Sequence, residues 1–177
     1  HGRSHDVGRR LVEDARVAAV GFTGSKPGGA ALAALAAARK APIPVFAEMG
    51  SVNPVFVLPA ARRERGADIA QRVAASAMQA VGQFCTSPGM VVFVDDGDPS
   101  FAAAVQEQFA RAEAGTLVHP SIRANFDRAR AEVASLPGVR TAAVAQQKPA
   151  CAATGAQPVL LATTAETVLA HDRLREE

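Results

Sequence analysis

Apolar and polar positions along this chain follow two periods in turn, one helical and one strand-like. The first helical signal is Val7 with Leu11 and Val12. RVAAVGF then has the β-branched, apolar character of a strand and ends at the Gly and Thr of FTGS. SKPGGAALAALAAARK returns to the helical period: Ser25 can cap its N-terminus, Pro27 suits its first turn, and Leu32 and Leu35 share a face. IPVFAEM and NPVFVLP are short apolar runs bounded by Pro and Gly, which predicts two strands. Ile69, Val73, Ala77 and Val81 recur every fourth position, so a helix over 62–81 leads straight into a loop at Cys85. GMVVFVDD is a continuous β-branched run of the kind buried on both faces in parallel sheets. Phe101, Val105 and Phe109 mark the next helix, and Ile122, Phe126, Ala129, Val133 and Leu136 another. RTAAVAQ and PVLLATT predict later strands, and TAETVLAHDRL a closing helix begun by Thr164 and Thr167. Strands alternating with helices, without an internal repeat, predict an α/β fold.

Composition sets bounds on what such a fold can do. With 177 residues, 49% of them apolar, the chain can bury a real core in one or two domains. It is rich in Ala, with 8 Phe and no Trp or Tyr, so its helices present small faces. A net charge of +2 from 19 basic and 17 acidic residues makes no electrostatic footprint for nucleic acid, and no aromatic stacking platform accompanies it. No run of 18 apolar residues exists, and HGRSHDVGRR has neither a signal core nor a cleavage pattern; a cytoplasmic protein without a membrane partner is expected. The chain opens on HGRSH without Met and closes on the charged LREE, so it is expected to be a fragment of a longer polypeptide.

Two cysteines, Cys85 and Cys151, stand far apart without a CxxC or a nearby His pair, which argues against zinc or any other metal and leaves a thiol free to react. Cys85 lies in VGQFCTSPGMV among Gln83, Thr86, Ser87, Pro88 and Gly89, whereas a cysteine kept for packing sits among large apolar residues. A structural thiol and a catalytic one are both compatible with that setting. FTGSKPGG puts a helix N-terminus where a strand ends, an arrangement that accepts phosphate oxygens. Its spacing, Gly24-Ser25-x-x-x-Gly29, is not the dinucleotide fingerprint, and a capped helix after a tight turn accounts for it equally. Glu48 sits among Phe46, Ala47 and Met49 at a strand end: buried, its carboxyl would be raised toward the range of a general base, and on the solvent side of an edge strand it would be an ordinary surface acid.

Taken in order, FTGSxxxG, FAEMGSVNP, GQFCTSPG and a closing Glu resemble the aldehyde dehydrogenase superfamily over nearly the whole chain. The resemblance implies an incomplete aldehyde-dehydrogenase-like α/β fold, with residues 1–48 as the end of a Rossmann-like NAD(P)-binding domain and 49–177 as a catalytic domain truncated at its C-terminal end. It implies Cys85 as the nucleophile and Glu48 as the group that activates the deacylating water. Gly24, Ser25 and Gly29 would line the cofactor's pyrophosphate turn, Met49 and Gly50 would lie near the nicotinamide, and Glu177 would begin the E-x-F-G-P segment that holds the cofactor ribose. The wording PIPVFAEMGSVNPVFVLP, with GSVN in place of the commoner second Gly and Lys, resembles the branch that oxidises α-ketoglutaric semialdehyde; another small or fatty aldehyde is the alternative.

The implied partners are an aldehyde, NAD or NADP, and further copies of the full-length parent in a homo-oligomer. The family's oxyanion Asn and adenosine pocket fall outside these residues, so the isolated 177 residues are expected to be inactive. Two other classes compete: a cysteine hydrolase pairing Cys85 with His119 or His171, and an inactive binding fragment.

Overall fold

The computed structural model describes residues 6–175, and the chain divides into two units, His1–Gly50 and Ser51–Glu177. In the first unit, α1 (Asp6–Glu13) and α2 (Lys26–Ala37) pack together, and α2 also packs on the parallel strands β1 (Val20–Gly24) and β2 (Val45–Met49). Val12 and Ala36 are its buried apolar side chains. Arg39 closes the unit by donating from Nη1 to the carbonyls of Val12 and Val17, both at 2.9 Å. Ser25 caps α2 as predicted, its Oγ accepting from Gly28 N at 3.3 Å, and Pro27 occupies the first turn. The strand predicted from Arg16 starts later, at Val20, because Asp14 and Arg16 are bound to each other in a turn.

The second unit is built on the parallel pair β3 (Pro54–Val57) and β4 (Met90–Phe93), joined by a crossover through α3 (Pro59–Met78). With α4 (Ser100–Arg111), α3 covers one face of that pair. Val57, Ala70, Phe101 and Val105 form the core, and Val55, Ile69, Val91 and Phe93 pack against them. Phe93 meets Phe101 edge to face, with ring centroids 5.1 Å apart. Arg62 is buried and ties α3 to the end of β4: it donates to Val94 O at 3.0 Å, pairs with Asp96 and lies over the Phe93 ring. Its guanidinium holds the Asp96 carboxyl below the usual carboxylate range.

β4 departs from its predicted burial. Its four residues are half-buried, its inward side chains meet the core, and the outer side of the pair is partly open: Phe56 of β3 is 68% exposed, and Leu58 and Val94, just past the ends of β3 and β4, are 68% and 60% exposed. Within the unit only one side of the pair is packed, so the continuous apolar run marks a strand with one covered face.

The rest of the second unit adds α5 (Pro120–Ala134) and α6 (Ala165–Ala170). It also holds two antiparallel pairs, β5 (Gly115–Thr116) with β7 (Gly155–Ala156) and β6 (Arg140–Val144) with β8 (Val159–Ala162). Thr164 caps α6 by accepting from Thr167 N at 3.3 Å.

Candidate active site

The parallel register of β1 and β2 sets Thr23 opposite Glu48 and Gly24 opposite Met49, which brings several predicted site positions to the C-terminal ends of neighbouring strands. Gly24 and Ser25 are exposed there, α2 starts immediately after them, and its first turn carries no acidic side chain. Exposed backbone at the N-terminus of a 12-residue helix whose first turn holds no carboxylate is a donor set that fits a dinucleotide pyrophosphate.

Gly29 sits deeper than its neighbours. It is buried, and a Cβ there would collide with Met49 Sδ, so its lack of a side chain lets α2 approach β2. Gly50, with φ 56°, adopts the left-handed backbone after β2. Glu48 is exposed and lines a shallow open hollow with Phe22, Thr23, Phe46 and Ala47, so the burial considered for this carboxylate is absent within the unit. Glu177 lies outside the described residues.

Cys85 is an exposed free thiol of the second unit, on the loop between α3 and β4. The helical period in the sequence runs to Val81, but α3 stops at Met78, and Ala80, Val81 and Gly82 follow with φ of 49°, 60° and 70°. A β-branched residue in the left-handed region is strained, at a cost of roughly 1–3 kcal/mol, and persists only where its surroundings fix it. Here they do so twice over. Val81 packs against Gly115, where a Cβ would collide with it, and Gln83 donates to Ala80 O at 2.9 Å while its Oε1 accepts from Val118 N at 2.9 Å.

Both peptide groups that flank Cys85 are pinned. Phe84 O accepts from Ser87 N at 3.0 Å, closing a tight turn around the thiol. Cys85 O accepts from Ser51 Oγ at 2.6 Å and from Asn53 Nδ2 at 2.8 Å, and Asn53 Nδ2 also reaches Ser87 O at 3.0 Å. Gly89 N donates to Val52 O at 2.8 Å, and a Cβ at Gly89 would come within 2.9 Å of that same oxygen, so the loop can close against residues 51–53 only with glycine there. In a planar trans peptide the N–H points opposite to the C=O. With Phe84 O turned into the loop, the Cys85 N–H is directed away from that turn. The arrangement can present a thiol nucleophile with a backbone donor beside it.

Ser51, Asn53 and Gln83 are therefore structural parts of the thiol loop that the sequence reading did not single out. The signal for Asn53 is weak but present: a left-handed position, φ 46°, favours Asn, and this one stands directly before Pro54 at the start of β3.

The histidines have other work. His119 Nδ1 caps α5 by accepting from Ser121 N at 3.1 Å and lies 2.7 Å from Ser121 Oγ, while His171 bridges α6 to a short 3-10 turn. With Nδ1 accepting that bond, the neutral ring carries its proton on Nε2, so neither nitrogen has a lone pair open to a thiol proton, which counts against the hydrolase dyad for His119. Cys151, also exposed, receives a hydrogen bond from Thr154 Oγ1 at 3.4 Å, and its own carbonyl accepts from Gly155 N at 2.7 Å. The Thr154 hydroxyl, followed by the backbone N–H groups of Thr154 and Ala153, draws the Cys151 thiol below its ordinary value of 9.0. Among the described residues, no three His, Cys, Asp or Glu side chains gather as a metal site, and no helix is long and apolar enough to cross a membrane.

Comparison with known proteins agrees with the sequence motifs. Residues 1–129 match the aldehyde dehydrogenase family. Over 140 residues the chain is 44% identical to alpha-ketoglutaric semialdehyde dehydrogenase 2 of Azospirillum brasilense, a match that covers 78% of this chain and 27% of that protein. Over 86 residues, 49% of this chain and 16% of the relative, it is 54% identical to alpha-ketoglutaric semialdehyde dehydrogenase of Acinetobacter baylyi. The fold superposes on a NAD-dependent benzaldehyde dehydrogenase from Corynebacterium glutamicum with TM-score 0.77 at 22% identity, covering 99% of this chain and 38% of the other. The chain thus spans about a quarter of the length of the first of these relatives.

Proposed function

This chain belongs to the aldehyde dehydrogenase family, and from that premise we propose that it carries the thiol and base of an enzyme that oxidises an aldehyde to a carboxylic acid with NAD or NADP. The aldehyde is α-ketoglutaric semialdehyde, an assignment supported by what the two curated relatives are named for. The observation that carries the mechanism is the exposed Cys85 thiol on a loop whose flanking peptides are both pinned. Pinning reduces the orientational freedom that a nucleophile must otherwise lose on the way to the transition state.

Cys85 attacks the aldehyde carbon, and the oxygen becomes the alkoxide of a thiohemiacetal that the Cys85 N–H is free to stabilise. When bound, NAD(P) would supply the hydride acceptor for that carbon. The carbon is left as a thioester on Cys85. Glu48 takes a proton from water, the resulting hydroxide adds to the thioester, and the acid departs as the thiolate is restored. Gly24 and Ser25, with the first turn of α2, would hold the pyrophosphate; Gly29 lets that helix approach β2, Met49 and Gly50 would serve the nicotinamide end, and Glu177 would contribute to the ribose clamp. On this reading residues 1–48 end the cofactor-binding domain and 49–177 belong to the catalytic domain.

The test uses the natural polypeptide that carries these residues. It should reduce NAD or NADP when given α-ketoglutaric semialdehyde, at a higher kcat/KM than with simple aliphatic aldehydes. Reduction with every aldehyde except this one would overturn the substrate, and ester hydrolysis without any cofactor-dependent oxidation would overturn the reaction.

A further inference from the structure

We propose that Asn53, assisted by Ser51, is a positioning residue that sets the orientation and nucleophilicity of the Cys85 thiol. The proposal rests on the reading of Cys85 as nucleophile and adds a residue to it. The Asn53 amide has two N–H donors, and they serve the carbonyls of Cys85 and Ser87 at 2.8 and 3.0 Å, fixing the chain at the thiol position and two residues beyond it. Ser51 donates its hydroxyl proton to the same Cys85 carbonyl, and its oxygen lies 3.2 Å from Asn53 Nδ2, so serine and asparagine act on one peptide group together. The Cys85 carbonyl thus accepts two side-chain hydrogen bonds, which matches the two lone pairs it has to offer.

Two consequences follow from that geometry. With Phe84 O held by Ser87 N on one side and Cys85 O held by Asn53 and Ser51 on the other, both peptide planes around Cys85 are fixed, and so is the Cα–Cβ direction that aims the sulfur. The bonds from Asn53 and Ser51 also keep the carbonyl oxygens of Cys85 and Ser87 turned toward residues 51–53. Asn53 is also suited to its backbone. At φ 46° most side chains are strained, whereas Asn tolerates the left-handed region and glycine tolerates it better still. Asn53→Gly consequently removes the donors without adding backbone strain, separating positioning from folding.

The experiment compares alkylation of the two thiols of this chain by iodoacetamide at neutral pH, each followed by peptide mass analysis, with Cys151 as the internal reference. In Asn53→Gly the Cys85 rate at neutral pH should fall about fivefold relative to Cys151, because the thiol is no longer held in one exposed orientation. Ser51→Ala, which removes one of the two donors to Cys85 O, should give a smaller change in the same direction, about twofold. In the natural polypeptide, Asn53→Gly should lower kcat while leaving the aldehyde KM in place, because Asn53 acts through the thiol. If Asn53→Gly unfolds the loop region, so that Cys151 accelerates too, Ser51→Ala decides the matter. A Cys85 to Cys151 rate ratio unchanged from wild type in the folded variants, with kcat also unchanged, overturns the proposal. Its failure is distinct from failure of the nucleophile assignment, which is read separately from the activity of Cys85→Ser.

Discussion

Cys85 and Cys151 are both exposed thiols on loops of the same unit, yet the two loops are held in opposite ways. The Cys151 loop is closed by its own neighbours, with Thr154 reaching the sulfur and Gly155 reaching the Cys151 carbonyl. The Cys85 loop is held chiefly by residues more than 30 positions away: Ser51 and Asn53 on one side, Val118 on the other. The local loop lowers the pKa of its thiol, and a reader guided by that shift alone would choose Cys151. On the proposed reading of Cys85 as the nucleophile, long-range tethering is the better guide, because a nucleophile must keep its place relative to groups contributed by other elements, and only contacts to other elements can ensure that.

The sharpest test of the contrast exchanges each thiol for an alcohol in the natural polypeptide. Cys85→Ser should reduce aldehyde oxidation by about a thousandfold or more, since an alcohol is a far weaker nucleophile, while Cys151→Ser should stay within about twofold of wild type. The reverse ranking in a steady-state assay would assign the chemistry to Cys151. A second expected effect, about a hundredfold, concerns the step after the thiol has reacted: Glu48→Gln should give a burst of reduced cofactor followed by slow turnover, because hydrolysis of the thioester loses its base. Equal losses in burst and steady state, measured by stopped flow, would remove Glu48 from the deacylation step.

Tethering itself can be weakened from the far side. Gln83→Ala breaks the link to Val118 N and leaves a strained turn with less to hold it, so thermal or urea unfolding should show a loss of about 1 kcal/mol. A variant as stable as wild type would mean that Gln83 does not secure the loop. The smallest effect belongs to the local loop. Because the Thr154 hydroxyl lowers the Cys151 pKa, Cys151 is more thiolate than an ordinary cysteine at a given pH; Thr154→Val should shift its alkylation profile to higher pH and slow alkylation at neutral pH about threefold, without moving Cys85. A shift at both thiols would show that the loops are coupled.

What could be read in the sequence divides along the same line. The turn from β1 into α2 was legible because its determinants are local: Ser25 accepts from Gly28, three residues on, and Pro27 needs only its place in the first turn. The core of the second unit was legible from Val105, Phe101 and Ile69 at helical spacing. The end of α3 was not. Ala80 and Val81 continue the helical period and have no preference for the left-handed backbone they adopt, so nothing near them in sequence announces the turn. The two-residue strands β5 and β7 are too short to have a period. Asn53 was quoted with its motif, but its contacts depend on a parallel strand pairing that brings distant residues side by side.

The packing of Val81 against Gly115 bears on how this protein can be varied. The two positions behave as one size-complementary pair: any side chain at Gly115 must displace Val81, and a residue smaller than valine at 81 would leave a gap over Gly115. In a combinatorial library, single substitutions at position 115 should be heavily depleted among folded clones. Coupled replacements, with glycine or asparagine at 81 and a small residue at 115, should reappear. A sampling scheme that varies the two sites independently would discard those clones, so both belong in the same codon block.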